Sequence, residues 1–356
     1  MKKKILALAV CVMMIGSILS GCGSSAKTED TTATTTATTT PTTTATTTED
    51  KEDTSTDAAA NTDKKLLGVS VPKASTGWTA AVQYYAEQYV MGKDIEITVV
   101  AAENTNEQAN QIEELINMKC DAIVLLPIND ELATAAQKIM DAGITLINYD
   151  RTLGTTEPDY YVAGDNKGVG VQGAKYLQLK LGDDYTVVVV GISGWGAISE
   201  ERIQGYKETI AEITPNVKIL GEYSAENASQ EAGLALMTDI LSANPEVDAV
   251  FSADDELGIG LTQAIKEANR TDIKAVIGGG GCKGYLNKMT SDDYKDIWLG
   301  SATYSPSMIT DAMYVAEKVL TGSSCDKKII IPCDLVDREN VEQWKSVNNF
   351  DEKAPY

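Results

Sequence analysis

The chain has 356 residues, with 30 Lys and Arg against 52 Asp and Glu, a formal net charge of −22, six cysteines and no histidine. At about 150 residues per domain, this length suits two to three domains, and a 43% apolar share supports a packed core. The acidic balance argues against a nucleic-acid partner, because binding phosphates takes clustered Lys and Arg. Without histidine, Ser-His-Asp and Cys-His pairs, His-ligated zinc and imidazole acid–base chemistry all drop out.

The chain opens with Met1 and three lysines, then an apolar run from Ile5 to Leu19. That run is shorter than the ~20 residues of a comfortable membrane span, so it reads as a signal peptide over residues 1–21. Leu19-Ser20-Gly21-Cys22 follows and resembles the lipobox of bacterial lipoproteins. The resemblance implies lipidation of Cys22 and attachment to a membrane surface; an ordinary signal peptide with a chance cysteine is the alternative. Cleavage there removes three lysines and leaves a net charge of −25. Residues 22–64 read as a linker, since Thr fills fourteen of the eighteen positions from Thr31 to Thr48. A tract with so little to bury stays extended as a stalk or spacer, with O-glycosylation open.

From Lys65 to about Ile331, short apolar runs alternate with helical periods. Strands are expected at Leu66–Val71, Ile95–Ala101, Ala122–Leu126 and Ile144–Asn148, with helices near 78–91, 106–119 and 130–142. A second set follows at Val187–Val190, Val217–Leu220, Ala249–Phe251 and Ala275–Ile277, with helices near 199–213, 229–243 and 256–269. A strand at Trp298–Ala302 and a helix from Ser307 to Leu320 close the pattern. Continuous apolar runs suit parallel strands covered on both faces. Asp121-Ala-Ile-Val is echoed 127 residues later by Asp248-Ala-Val-Phe. The fold class is therefore α/β, as two doubly wound parallel-sheet lobes rather than one oversized sheet.

In open parallel sheets ligands lie beyond the carboxyl ends of the strands. The groups at those ends are Lys73, Ser75 and Trp78, then Asp150 and Arg151, then Trp195, then Asn227, then Asp254 and Asp255, then Gly278–Gly281, and finally Thr303-Tyr304. Carboxylates, an arginine fork and aromatic faces together suit a neutral polyhydroxylated ligand. Gly278-Gly-Gly-Gly-Cys-Lys-Gly lacks the Lys-Ser/Thr ending of a phosphate-binding loop.

Asn148-Tyr-Asp-Arg151, Gly164-Asp-Asn166, Glu200-Glu-Arg-Ile-Gln-Gly-Tyr206, Ala249–Glu256 and Ala316–Leu320 together resemble the type I periplasmic binding proteins of ABC importers, in their ribose/galactose-type sugar branch. The resemblance spans about Leu66 to Ile331. It implies a three-segment hinge near 164, 303 and 331, an N-terminal lobe of residues 65–164 plus 304–330, and a C-terminal lobe of 165–303 plus 331–350. It further implies that Asp150, Arg151, Arg202 and Asp254 hold sugar hydroxyls, that Trp78 stacks on the ring, and that Ser75 stands where some members have Asn. Gly280 stands where ribose-type members have an aspartate, and Thr303 where they often have Gln. Lys73 resembles a lysine of binding proteins for the furanosyl signal autoinducer-2, although Ile198 and Ala253 do not match that pattern.

The implied function is capture of a monosaccharide-like ligand between the lobes and delivery to the permease of an ABC importer, outside the cytoplasm and without a cofactor. The alternatives are a receptor presenting its ligand to a sensor kinase or chemoreceptor, and a binder of the furanosyl signal. An enzyme is not expected, because adjacent Asp254 and Asp255 point in different directions from a strand end. No metal site is expected either, since there is no Cys-x-x-Cys and no histidine. Among Cys120, Cys282, Cys325 and Cys333, the last two flank the final strand and are the local candidates for a disulfide; Cys120 reads as a small core residue.

Overall fold

The computed structural model describes residues 64–74 and 77–356. The signal segment, Cys22, the threonine tract and Ser75 lie outside the described residues.

Two six-stranded sheets organise the chain. The first contains β1 (Lys65–Pro72), β2 (Ile95–Ala102), β3 (Ala122–Leu125), β4 (Thr145–Tyr149) and β5 (Tyr160–Gly164). Helices α1 (Gly77–Gln88), α2 (Thr105–Asn117) and α3 (Ala133–Asp141) lie between these strands. The chain then passes through α4 (Asn166–Leu181) into the second sheet, with β6 (Thr186–Ile192), β7 (Lys218–Ala225), β8 (Ala249–Ser252), β9 (Ala275–Gly280) and β10 (Trp298–Thr303). Its helices are α5 (Ala197–Ile213), α6 (Gln230–Ala243), α7 (Asp255–Glu267) and α8 (Lys283–Met289). Helix α9 (Ile309–Leu320) and β11 (Lys328–Ile331) return to the first lobe; β12 (Leu335–Asp337) and α10 (Val341–Val347) end on the second.

Read across the sheets, the strand orders are 2-1-3-4-5-11 and 7-6-8-9-10-12. Both are the doubly wound order, whose crevice opens where the direction of winding reverses, at β1/β3 and β6/β8. All pairings are parallel except β12, which runs antiparallel to β10 over three residue pairs. The central strands are buried along their length, as Ala122-Ile-Val-Leu125 and Ala249-Val-Phe-Ser252 show. Each lobe seats its helices on both sheet faces, so its core falls into two apolar clusters.

Helix starts are set by side-chain caps: Asn104 Oδ1 accepts from Glu107 N, Asp165 Oδ1 from Gly168 N, Ser229 Oγ from Ala232 N and Asp254 Oδ1 from Leu257 N.

Three segments connect the lobes and are pinned to one another. Asp165 N donates to Ile331 O, Thr303 N to Asp334 O, and Asp334 N to Thr303 Oγ1 at 2.9 Å. The Cys333 thiol donates to Asp165 O at 3.1 Å. Cys120, Cys282, Cys325 and Cys333 are all free thiols, so Cys325 and Cys333 are not joined; Cys120 is buried in the core of the first lobe.

Candidate functional site

A cavity of about 800 Å³ opens between the lobes at the carboxyl ends of both sheets, within the size range of small-molecule sites. Asp150 forms one wall. It follows β4 with φ of +62°, a left-handed conformation that side chains other than glycine adopt at a cost. Asp150 N donates to Val162 O, and the Tyr161 hydroxyl donates to Asp150 O at 2.6 Å, which holds the turn. The Tyr304 hydroxyl donates to Asp150 Oδ1 at 2.5 Å. Burial raises the Asp150 pKa, opposed by the Tyr304 hydroxyl and the charges of Arg151 and Arg202.

Next to it, Arg151 donates from Nη1 to Ile128 O at 2.8 Å, which ties the turn to the loop after β3. Asn148 Nδ2 donates to Arg151 O at 2.7 Å.

On the opposite wall, Arg202 of α5 is only 3% exposed. Its Nε donates to Asn166 Oδ1 at 2.9 Å and its Nη1 to Ala253 O at 2.8 Å. The guanidinium lies 4.7 Å from the Tyr304 ring centre and 5.4 Å from that of Trp195, so packing and hydrogen bonds fix its plane in advance. Asp254 caps α7 and is pushed up to about 6 by burial. Asp255 accepts from Gly281 N, Cys282 N and Ser301 Oγ, yet burial pushes it up to about 7. Glu256 is also pushed up to about 7, by burial and then by its two neighbours.

Aromatic side chains line the floor and one side. Trp78 stacks on Tyr149 at 6.1 Å between ring centres and 11° between planes, while its Nε1 donates to Tyr304 O at 2.9 Å. Tyr304, on the second connecting segment, therefore touches the key groups of both lobes: Asp150 through its hydroxyl, and Arg202 through its ring.

Of the residues singled out in the sequence, Trp78, Asp150, Arg151, Arg202, Asp254 and Gly280 line the cavity. Lys73, Asn227 and Thr303 do not, and each has another task. Lys73 is exposed and paired with Glu103 at 2.8 Å. Asn227 is exposed, and its Oδ1 accepts from Ser229 N in the turn before α6. Thr303 ends β10 with its hydroxyl accepting from Asp334 N, so it pins the hinge while the next residue, Tyr304, faces the cavity.

Trp195 and Tyr304, named among the strand-end groups but given no ligand role there, also line the wall, as do Asn129, Asp130, Glu201, Glu256 and Tyr356. The strand-end rule would have reached Asn129 and Asp130, which follow β3. Glycines on both sides of Trp195 mark a tight turn after β6. Nothing in the sequence marks Tyr356.

Twin doubly wound sheets, a pinned three-segment connection and a polar, aromatic cavity between them define a two-lobed small-molecule binding protein. Residues 67–324 match the model of the periplasmic binding protein domain, and the chain belongs to that family. It is 29% identical over 290 residues to the xylitol-binding protein of Mycolicibacterium smegmatis, covering 80% of this chain and 81% of that one. It is 26% identical to the ribose import binding protein of Bacillus subtilis, covering 78% and 88%. Among solved structures, a periplasmic solute-binding protein of an ABC transporter from Actinobacillus succinogenes, with bound D-allose, superposes with a TM-score of 0.70 at 25% identity, covering 79% of this chain and all of that one. The Bacillus subtilis and Actinobacillus succinogenes relatives are binding proteins of import systems rather than enzymes, and this chain, of the same family, is not an enzyme.

Proposed function

We propose that this protein captures a neutral, polyhydroxylated small molecule of the sugar or sugar-alcohol class in the interlobe cavity and delivers it to the permease of an ABC importer. The observation that carries this reading is the convergence of two buried aspartates, Asp150 from one sheet and Asp254 from the other, on one cavity lined by Trp78, Trp195 and Tyr304. Carboxylates accept from hydroxyls, Arg151 and Arg202 donate to ligand oxygens, and the rings cover the C–H faces of the carbon skeleton. Contacts from both lobes favour a closed arrangement in proportion to their differential affinity. Cys22 as a lipidated N-terminus and the threonine tract as a stalk would hold this binding module outside the cytoplasm, beside the importer.

The cavity wall also argues for the ligand's charge. Asp130, Asp150, Glu201, Asp254 and Glu256 outnumber Arg151 and Arg202, and both arginines already donate to backbone carbonyls. A phosphorylated or carboxylated ligand would meet a surplus of negative charge. A thermal-shift panel of ribose, D-allose, xylitol, myo-inositol, ribose 5-phosphate, leucine and glutamate tests the reading. At a hundredfold excess over Kd, a neutral polyol is expected to raise the melting temperature by about 5 °C. Stabilisation by the phosphate or the amino acids alone would overturn the proposal.

A further inference from the structure

The cavity contains a side chain from a segment far beyond the matched domain. After α10 the chain folds back along the second lobe: Lys283 Nζ donates to Glu352 O and Ala354 O, at 2.8 and 3.0 Å, and Ala354 is buried. The Tyr84 hydroxyl, on α1 of the first lobe, donates to Asp351 Oδ2 at 2.7 Å, so the segment also touches the other lobe. This anchoring brings Tyr356, only 6% exposed, to the cavity wall.

Its hydroxyl occupies a particular place. A Cβ built on Gly280 would lie 2.1 Å from the Tyr356 hydroxyl oxygen, so any side chain at 280 and the phenol would contend for one space. Gly280 also has φ of +150°, which favours glycine. Burial, and then the nearby Asp254, Cys282, Asp255 and Glu256, keep the phenol from ionising. A carboxylate in that space would be a fourth acid in a buried cluster, whereas a phenol supplies a neutral donor. No group among the described residues hydrogen-bonds the hydroxyl. A polar atom at a cavity wall without a protein partner is stabilised by a ligand or by water.

We infer that Tyr356 is a ligand-contacting, specificity-determining residue: its hydroxyl, in the space left open by Gly280, donates a hydrogen bond to an oxygen of the bound molecule. This rests on the proposed function and extends the site to a segment outside the domain match. It gives the second lobe a neutral donor to set beside its acceptors, so the site can read an oxygen that carboxylates cannot serve, such as a ring ether.

Calorimetric titration of the full chain and of Tyr356→Phe with ribose, D-allose, xylitol and myo-inositol tests it. Tyr356→Phe removes a single oxygen. It should leave the melting temperature of the unliganded protein unchanged and weaken the best-bound compound about five- to tenfold, with a changed ranking across the panel. A second measurement needs no variant in the binding assay: with 13C-labelled tyrosine, the Tyr356 Cζ resonance, assigned by its loss in Tyr356→Phe, should move on saturation with that compound. Equal affinities for all four compounds in both proteins, or an unmoved resonance, would overturn the inference while leaving the proposed function standing. Failure of the unaltered protein to bind any of the four would overturn the proposed function and this inference with it.

Discussion

The two lobes are alike at the ends of their strands remote from the cavity and unlike at the ends that line it. At the remote end, Asp121 N donates to Leu66 O while its Oδ2 accepts from Leu66 N. In the second lobe Asp248 does the same with Thr186, its Oδ2 accepting from Thr186 N at 2.8 Å. The repeated Asp-Ala motif is thus a strand-start clamp used twice, 127 residues apart. At the cavity end the first lobe offers an aspartate in a left-handed turn beside an arginine. The second offers three consecutive acids at a helix start and an arginine carried by a different helix. Repetition builds the frame, and departures from it build the site.

The departures rest on different supports, which substitutions can separate. The largest effect is expected where the second lobe holds Arg202. Helices α4 and α5 cross so closely that a Cβ on Gly170 would lie 2.0 Å from Arg202 O and 2.4 Å from Tyr206 N. Gly170→Ala must push α5 away, at a cost of about 2–3 kcal/mol in denaturant unfolding, and it should weaken ligand binding by moving the guanidinium. An unchanged unfolding midpoint would show that the crossing is not tight.

A smaller effect is expected from the acid trio, and it sharpens the contrast with the Asp150–Arg151 wall. Asp255 lies at about 7 in the folded chain, above its ordinary 3.8. Ionising it therefore costs more folded than unfolded. Its stabilising contribution is complete below about pH 4 and disappears as pH rises through 7, with Asp254 and Glu256 acting in the same direction. Unfolding midpoints between pH 5 and 8 should fall with rising pH, and Asp255→Asn should flatten the slope. An equal slope in the variant would remove Asp255 as its source.

Much of this architecture was legible because buried parallel strands are nearly continuous apolar runs, as in β1, β3, β6 and β8. The edge strand β7 instead alternates exposed and half-buried residues and was expected only at its start, Val217–Leu220. Strand β5 was not, since Tyr160 and Tyr161 follow a Pro-containing turn and leave only a short apolar run. Helix α4 was hidden by Gly168, Gly170 and Gly173, which lower helix propensity; at Gly170 the missing side chain is what admits α5. In the site, Asp150 and Asp254 followed from the strand-end rule. Of the strand-end pair Thr303-Tyr304, the ligand role went by resemblance to Thr303, but the Thr303 hydroxyl accepts from Asp334 N while Tyr304 lines the cavity. Tyr356 arrives through tertiary packing of the 348–356 segment, which no periodicity encodes.

The central claim is that the cavity grips a hydroxyl-rich molecule from both sides, with Asp150 as the acceptor of the first lobe. Isothermal titration of the unaltered protein and of Asp150→Ala with the best-stabilising polyol tests it most directly. The account predicts micromolar binding, worth about −8 kcal/mol, and a loss of at least about thirtyfold in a variant that keeps its circular dichroism spectrum. Equal affinity in the two proteins would contradict it.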